Sequence, residues 1–461
     1  MTNAHHPPYP AYKPSGADWL GDIPAHWEVR RLKFLASVIF SNVDKHSKEE
    51  ELPIRLCNYV DVYKNEHIVS SLDFMEATAG INEIGKFTLK KGDIIITKDS
   101  EEWQDIAVPA LVSEELDNVI CGYHLALIRP FPNIVGNGYL FRSFQAAAIN
   151  YQFQVAASGI TRYGLGKQAL GNSLFLVPPL AEQRAIADYL DRETAQIDAL
   201  IAKKRELLDL LERQRTALIS HAVTKGLNPA APLKPSGVDW LGEIPAHWEI
   251  RRLKFLASVV YSNVDKNSKE EELLVWLCNY VDVYKNERIT RNLDFMEATA
   301  GINEIKKFAL NKGDVIITKD SEDWHDIAVP ALVSEKLDNV ICGYHLALVR
   351  SIPNIVDSGY LFRSFQAAAL NYQFQVAASG ITRYGLGKQA LGDAVFLVPP
   401  LAEQRAIAEY LDRETAQIDR LKGEVEASID LLQRYRTALI SAAVTGKIDV
   451  RVPAAASCPS A

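Results

Sequence analysis

The feature that most narrows what this chain can fold into is a repeat running over almost its whole length. WLGDIPAHWEVRRLKFLASV from Trp19 returns as WLGEIPAHWEIRRLKFLASV from Trp240, CGYHLAL from Cys121 returns from Cys342, and ASGITRYGLGKQALG from Ala157 returns from Ala378. The offset is 221 residues throughout, with no insertion or deletion, and 31 of the 188 positions between 13–200 and 234–421 differ, so 157 match. A unit this long can hold its own core, unlike the ~20–50-residue units of solenoids. Two similar modules with two similar sites are therefore expected, not one site divided between halves.

Most differences are conservative, with three exceptions. Pro53-Ile54-Arg55 becomes Leu274-Val275-Trp276, and Val69-Ser70-Ser71 becomes Thr290-Arg291-Asn292. The longest divergence is 201–208, IAKKRELL against KGEVEASI.

Composition is that of an ordinary globular chain, with 48% hydrophobic and 23% charged residues in 461, a length suggesting about two to four domains. No apolar run reaches the ~18 residues of a membrane span, and the opening MTNAHHPPYPAYKPSG lacks signal-peptide order, which reads as a cytoplasmic protein. The five cysteines (Cys57, Cys121, Cys278, Cys342, Cys458) have no zinc-site spacing and read as free thiols. A net charge of −8 is unusual for a free-standing DNA binder. DNA would have to be gripped by local patches or with charge from partner subunits.

Each copy divides into an α+β part and a long helix. KGDIIITKDS (91–100) reads as a strand after a Gly-Asp turn, VICGYHLALIRP (119–130) as another, and GYLFRSFQAAAINYQFQVAASG (138–159) as a helix capped by Gly159. After Pro178-Pro179, Ile186, Leu190, Ile197, Leu200 or Ile201, Leu208, Leu211 and Leu218 recur at three- and four-residue steps. The second copy repeats this with Ile407, Leu411, Ile418, Leu421, Val425, Ile429, Leu432 and Leu439. Such a stripe needs a partner helix, and the other copy's helix is the obvious one. About 40 residues at ~1.5 Å each span roughly 60 Å, some 18 base pairs at ~3.4 Å. The expected fold is α+β: two similar domains separated by two long helices paired as an antiparallel coiled coil, with pseudo-two-fold symmetry. The expected segments are a disordered tail at 1–12, domains at 13–178 and 237–399, helices at 179–225 and 400–446, a linker at 226–236 and a tail at 447–461.

The junctions FLVPPLAEQRAIADYLD (175–191) and FLVPPLAEQRAIAEYLD (396–412), with the opening PSGADWLGDIPAHWEVRRLKFL (14–35), resemble those of specificity subunits of type I restriction–modification systems. GDIIITKDS and the GITRYGLG loop also fit that pattern, and the resemblance covers nearly the whole chain. It implies two target recognition domains, each reading part of a bipartite double-stranded DNA target, on helices that set the spacer. It further implies a chain that is not an enzyme and binds no cofactor itself. Two methyltransferase subunits would use S-adenosylmethionine, and endonuclease/translocase subunits joining that core would use ATP and Mg. Family members usually carry dissimilar domains, whereas these are near-copies, so a palindromic or nearly palindromic target is expected. A recognition subunit of a methylation-only or other defence assembly, and a duplicated coiled-coil scaffold without DNA binding, remain alternatives.

The residues themselves suggest where DNA would be met. In GITRYGLGK (159–167) glycines permit close approach, Arg162 and Lys167 can reach phosphates or guanine edges, and Tyr163 can pack on sugars. The loop lacks phosphate-loop spacing, and a plain surface loop is the alternative. In ITKDSEEW (96–103) Lys98, Ser100 and Asp99 could contact base edges, against a surface turn with Trp103 in the core. The second-copy equivalents are Lys319, Ser321, Arg383, Tyr384 and Lys388. His124, placed in an apolar strand with Tyr123, reads first as a satisfied, partly buried histidine. Arg30, Arg31 and Lys33 read as a solvated basic face with phosphate contact second. No metal site is expected, and the motif of adenine methyltransferases is absent.

Overall fold

The computed structural model describes residues 6–46, 48–267 and 269–452. The chain forms two compact units, and neither is a simple sequence half. The first comprises 1–204 with 427–461, the second 205–426. Each therefore holds one globular domain, the start of the long helix that follows it, and the end of the other long helix. The divergent stretch 201–208 contains the point at which the first long helix passes from one unit to the other.

In the first unit a five-stranded sheet runs in the order Ala36–Phe40, Leu125–Pro130, Ile94–Thr97, Pro109–Val112, His67–Ile68. Neighbours are antiparallel except the last pair. The central strand is an unbroken isoleucine run because both of its faces are covered. Ile94 and Ile96 face a core shared with helices Asn137–Gln145 and Ala147–Ala156. Ile95 faces a second core built on the three-stranded sheet Val119–Cys121, Leu52–Cys57, Met75–Ala79. The second unit repeats this with Ala257–Tyr261, Leu346–Ser351, Val315–Thr318, Pro330–Val333 and Arg288–Ile289.

Local sequence explains several departures from expectation. The run 138–159 is two helices, because Ala146 takes extended angles (φ −69, ψ 121) and serves both as an end and as a start. The second of them ends at Ala156, so Gly159 is not its cap. The strand expected over 119–130 breaks at Gly122, whose N–H donates to the Cys57 carbonyl (2.9 Å) and whose carbonyl accepts from Leu125 (3.1 Å). Tyr123 and His124 therefore sit on a turn. The segment from Pro7 to Tyr12 is fastened, not loose: Tyr9 is buried against Trp27, and the Pro7 carbonyl accepts from the Asp449 N–H (2.8 Å). Cys57, Cys121, Cys278 and Cys342 are buried free thiols whose burial holds their pKa well above the usual range. Cys458 lies outside the described residues.

The two sequence motifs at the ends of each domain meet. Glu28–Arg31 pairs antiparallel with Leu174–Val177, bringing the domain's opening beside the strand that leads into Pro178-Pro179. Glu182, buried in the first turn of the long helix Leu180–Lys225, accepts from Trp27 Nε1 (2.9 Å) and lies 2.8 Å from His26 Nε2. Gln183 donates to the Ile134 and Pro178 carbonyls and accepts from the Gly136 N–H. The LAEQR run is thus a clasp as well as a helix start. Glu403 and Gln404 repeat it on the second long helix, Leu401–Val444.

Within the first unit the two helix segments run antiparallel. The Tyr139 hydroxyl donates to Leu176 just before one helix and to Val444 at the end of the other, while Asp198 meets Arg436 further along both. Ile197 and Ile201 share a core with Leu432, Leu439 and Ile440. The second unit has the same geometry through Tyr360, Arg215 with Asp419, and Lys422 with Glu212. Leu421, expected on the seam, is exposed: the ~100° step per residue turns it away and leaves Lys422 to reach Glu212.

A third side chain ties each domain to its helices. Arg142 is buried and forks onto Asp191 (2.8 and 3.0 Å), Glu66 (3.2 Å) and Thr194 (3.0 Å). Arg436 reaches both Asp198 (2.9 Å) and Glu66. Burial raises the Glu66 pKa, but Arg436 and Arg142 outweigh it and hold the carboxyl below its ordinary value.

Candidate nucleic-acid interface

The GITRYGLGK loop is fastened at its base. Ser158 and Gly164 exchange backbone hydrogen bonds (3.1 and 2.8 Å), and Tyr163-Gly164 pairs with Asp99-Ser100. Between them Gly159 holds φ +147, where a Cβ would lie 1.9 Å from the Arg162 carbonyl oxygen. Only glycine fits there. Gly166, by contrast, has open space around it.

This pairing places Arg162 beside the end of the central strand. Arg162 Nη1 lies 3.5 Å from His124 Nε2, His124 Nδ1 lies 3.3 Å from Asp99 Oδ2, and Asp99 accepts from Lys98 Nζ (2.7 Å). Ser100 Oγ meets the Tyr59 hydroxyl at 3.1 Å, and Tyr59 stacks on Tyr63, four residues on, at 5.5 Å. The shallow cleft so formed is lined by Tyr59, Tyr63, Ser100, Asp105, His124 and Arg162, with Asp99, Glu101 and Glu102 beside them. The second copy keeps the same chain of contacts through Arg383, His345, Asp320, Lys319, Ser321 and Tyr280.

The proposed contact residues separate into three groups. Arg162 is exposed and lines the cleft, while Tyr163 is half-buried and pairs through its backbone with Ser100; Arg383 and Tyr384 are exposed and half-buried in the same way. Lys98 and Ser100 are 7% and 6% exposed. The Lys98 ammonium is spent on Asp99 and on the faces of Tyr123 (4.6 Å) and Phe40 (5.6 Å). Lys98 thus supports the cleft floor and offers no free charge to a phosphate, and Lys319 does the same. Lys167 faces elsewhere, lining a separate depression with Lys33, Gln168 and Asn172; Lys388 and Lys254 match it. Arg30 pairs with Glu28 (2.7 Å).

Trp103 was expected in the core but is exposed near the cleft. Tyr59 and Tyr63 were missed, although the four-residue spacing in NYVDVYK was the available signal. With four carboxylates around one guanidinium, which already lies 3.7 Å from Glu101, the cleft is a poor seat for phosphate. Carboxylates, hydroxyls and an arginine suit base edges, where cytosine and adenine present amino donors and guanine presents acceptors. The ammonium groups of Lys33 and Lys167, which line one depression, are chemically better suited to a phosphate.

The divergent positions gather away from this cleft. In the second unit Trp276, Arg291 and Lys336 line one depression with Phe295 and Leu337. Their counterparts are Arg55, Ser70 and Glu115, of which Arg55 donates to the Asp117 carbonyl.

Replacing Gly159 by alanine is expected to distort the loop at a cost of about 1–3 kcal/mol and weaken DNA binding roughly tenfold. Gly166→Ala should bind as the parent does. Titration of the assembled complex against DNA, with melting curves for both variants, checks the pair.

The family model for type I restriction modification DNA specificity domain matches residues 24–209 and again 245–430. The chain belongs to this family and carries its domain twice. A type I restriction enzyme MjaX specificity subunit of Methanocaldococcus jannaschii is 23% identical over 454 residues, 94% of this chain and 96% of that one. The EcoKI specificity subunit of Escherichia coli is 23% identical over 280 residues, 59% of this chain and 57% of its own. Among solved structures, a chain from a study of assembly and conformational transition of the type I R-M system shares the fold with TM-score 0.67 at 17% identity, over 92% of this chain and 98% of that one. The HsdS subunit of Thermoanaerobacter tengcongensis gives 0.51 at 18%, over the same shares of the two chains. Two α+β domains with long helices are the architecture of specificity subunits, and DNA sequence recognition is their function. No helix among the described residues is long and apolar enough to cross a membrane.

Proposed function

We propose that this chain reads a bipartite, palindromic or near-palindromic DNA target, one half-site per unit, on behalf of two methyltransferase subunits and the endonuclease/translocase subunits that join them. Recognition without catalysis is its part; S-adenosylmethionine, ATP and Mg act in the partner subunits, in the cytoplasm. One observation carries the symmetry of the target. Every cleft residue but one, from Tyr59 and Tyr63 through Asp99, Ser100, Glu101, Asp105 and His124 to Arg162, has the identical residue 221 positions on, and the exception, Glu102, becomes Asp323 with its carboxylate kept. Identical side chains in an identical frame read the same bases. The acidic balance fits a subunit that contacts base edges while its partners neutralise phosphates.

Single-molecule methylome sequencing of the host tests this reading. The expected result is one methylated motif made of two inverted copies of the same short half-site around a fixed spacer. Two unrelated half-sites would sink it. If the halves agree except at one position, Trp276, Arg291 and Lys336 against Arg55, Ser70 and Glu115 are where the difference is expected to originate.

A further inference from the structure

The most exposed large hydrophobic residues in the described chain stand at the tips of the two GITRYG loops: Ile160 at 98% and Ile381 at 96%. A lone exposed aliphatic on a loose loop would need no explanation, but this loop is built. Its base is closed by the Ser158–Gly164 hydrogen bonds, its rim is paired with Asp99-Ser100, and its turn depends on Gly159 at φ +147 and Gly380 at φ +146. Isoleucine, β-branched, is itself stiff at its first torsion. A fixed support therefore presents a rigid apolar group beyond Arg162, and does so twice with the same seven residues, Ser158–Gly164 and Ser379–Gly385.

What such a group could meet follows from its neighbours. The cleft behind it offers Arg162, His124, Ser100 and the Asp99 carboxylate, a set suited to base edges in the major groove. The one aliphatic group on the floor of that groove is the 5-methyl of thymine. We infer that Ile160 and Ile381 read a thymine methyl in each half-site, adjoining the base read by Arg162 or Arg383. This rests on the DNA-reading role proposed above and adds a base identity to it. Because both loops carry the isoleucine, the thymine should occupy symmetry-related positions in the two half-sites.

The test uses the assembled complex with its methyltransferase partners and the target found by methylome sequencing. Each thymine of a half-site is replaced in turn by deoxyuridine, which removes only the methyl. At one position per half-site affinity should fall about fourfold, the worth of one buried methyl group. The Ile160→Ala/Ile381→Ala variant, which loses the contact in both half-sites, should bind the thymine target at least about fifteenfold more weakly. It should be indifferent to deoxyuridine at that position, with an unchanged melting temperature.

A target without thymine at symmetry-related positions, or no response at any of them, overturns the inference. So does an equal deoxyuridine loss in parent and variant. An alanine variant that assembles poorly with its partners but binds DNA normally would show that the isoleucines meet protein, and would also overturn it. Failure of the parent complex to bind any specific sequence would count against the DNA-reading role itself and is distinguishable from all of these.

Discussion

Replacing Arg142 by alanine is expected to lower the stability of the first unit by about 3 kcal/mol and leave the second unaltered. Removing one partner of a buried ion pair costs roughly 3–5 kcal/mol because the remaining charges stay desolvated and unpaired. The lower figure applies because Asp191 is half exposed and regains water, while Glu66 keeps Arg436. What is lost is the fork that joins Asn137–Gln145 to the long helix through Asp191 and Thr194, and to the sheet edge through Glu66. At about 2–4 °C per kcal/mol for a unit of this size, its unfolding should move down by about 6–12 °C. Calorimetry should show a low-temperature transition separating from that of the second unit, where Arg363 makes the same fork with Asp412, Glu287 and Thr415. Arg363→Ala should move the other transition. A single unmoved transition would mean that the fork contributes little and that packing alone holds domain to helix.

Arg142 also shows where reading the sequence stops. The repeat, the long helices and the junction motifs were legible because each is local: a fixed offset, a three- and four-residue apolar period, a proline pair before a helix. The clasp was not. Glu182 in a first turn reads as a favourable partner for the helix dipole, and nothing in LAEQR says that Trp27 and His26, more than 150 residues earlier, will bond to it. Arg142 in LFRSFQ looks like a charge on an amphipathic helix, but its charged partners come from two distant segments, Glu66 and the Asp191–Thr194 turn of the long helix. The candidate site divides the same way. Arg162 could be picked out from a glycine-flanked loop. Burial of Lys98 follows only once the turn at Gly122 folds Tyr123 over it. Alternation within a strand places Lys98 on one face, but not under a ring from another segment.

A chain containing only the first copy, ending near residue 232, is expected to form a homodimer with two complete units. The reason lies in what completes each unit. The first is finished by 427–444, the end of the second long helix; the second is finished by 205–225, the end of the first. The end of the first long helix can therefore complete a domain almost identical to its own, since that is what it does in the second unit. Arg215 there bonds Asp419 and Glu287, whose first-copy counterparts are Asp198 and Glu66. Ile219, Ala222 and Val223 join the second core, and a second copy's Ile219, Ala222 and Val223 would replace Ile440, Ala443 and Val444 of the first. The substituted end lacks Arg451, which reaches Glu182 at 3.3 Å, but the second unit holds Glu403 on Trp248 and His247 alone. A monomer would leave two apolar helix stretches in water, each large side chain costing about 1.5–3 kcal/mol, so the dimer should persist at about micromolar concentration. Light scattering on the eluted protein should give twice the chain mass. Arg215→Glu, which would face Asp198 and Glu66 of the second copy with a like charge, should shift it toward monomer. A parent half-chain that is monomeric yet folded would show that each domain needs no borrowed helix, and that the pairing seen within each unit follows folding without being required for it.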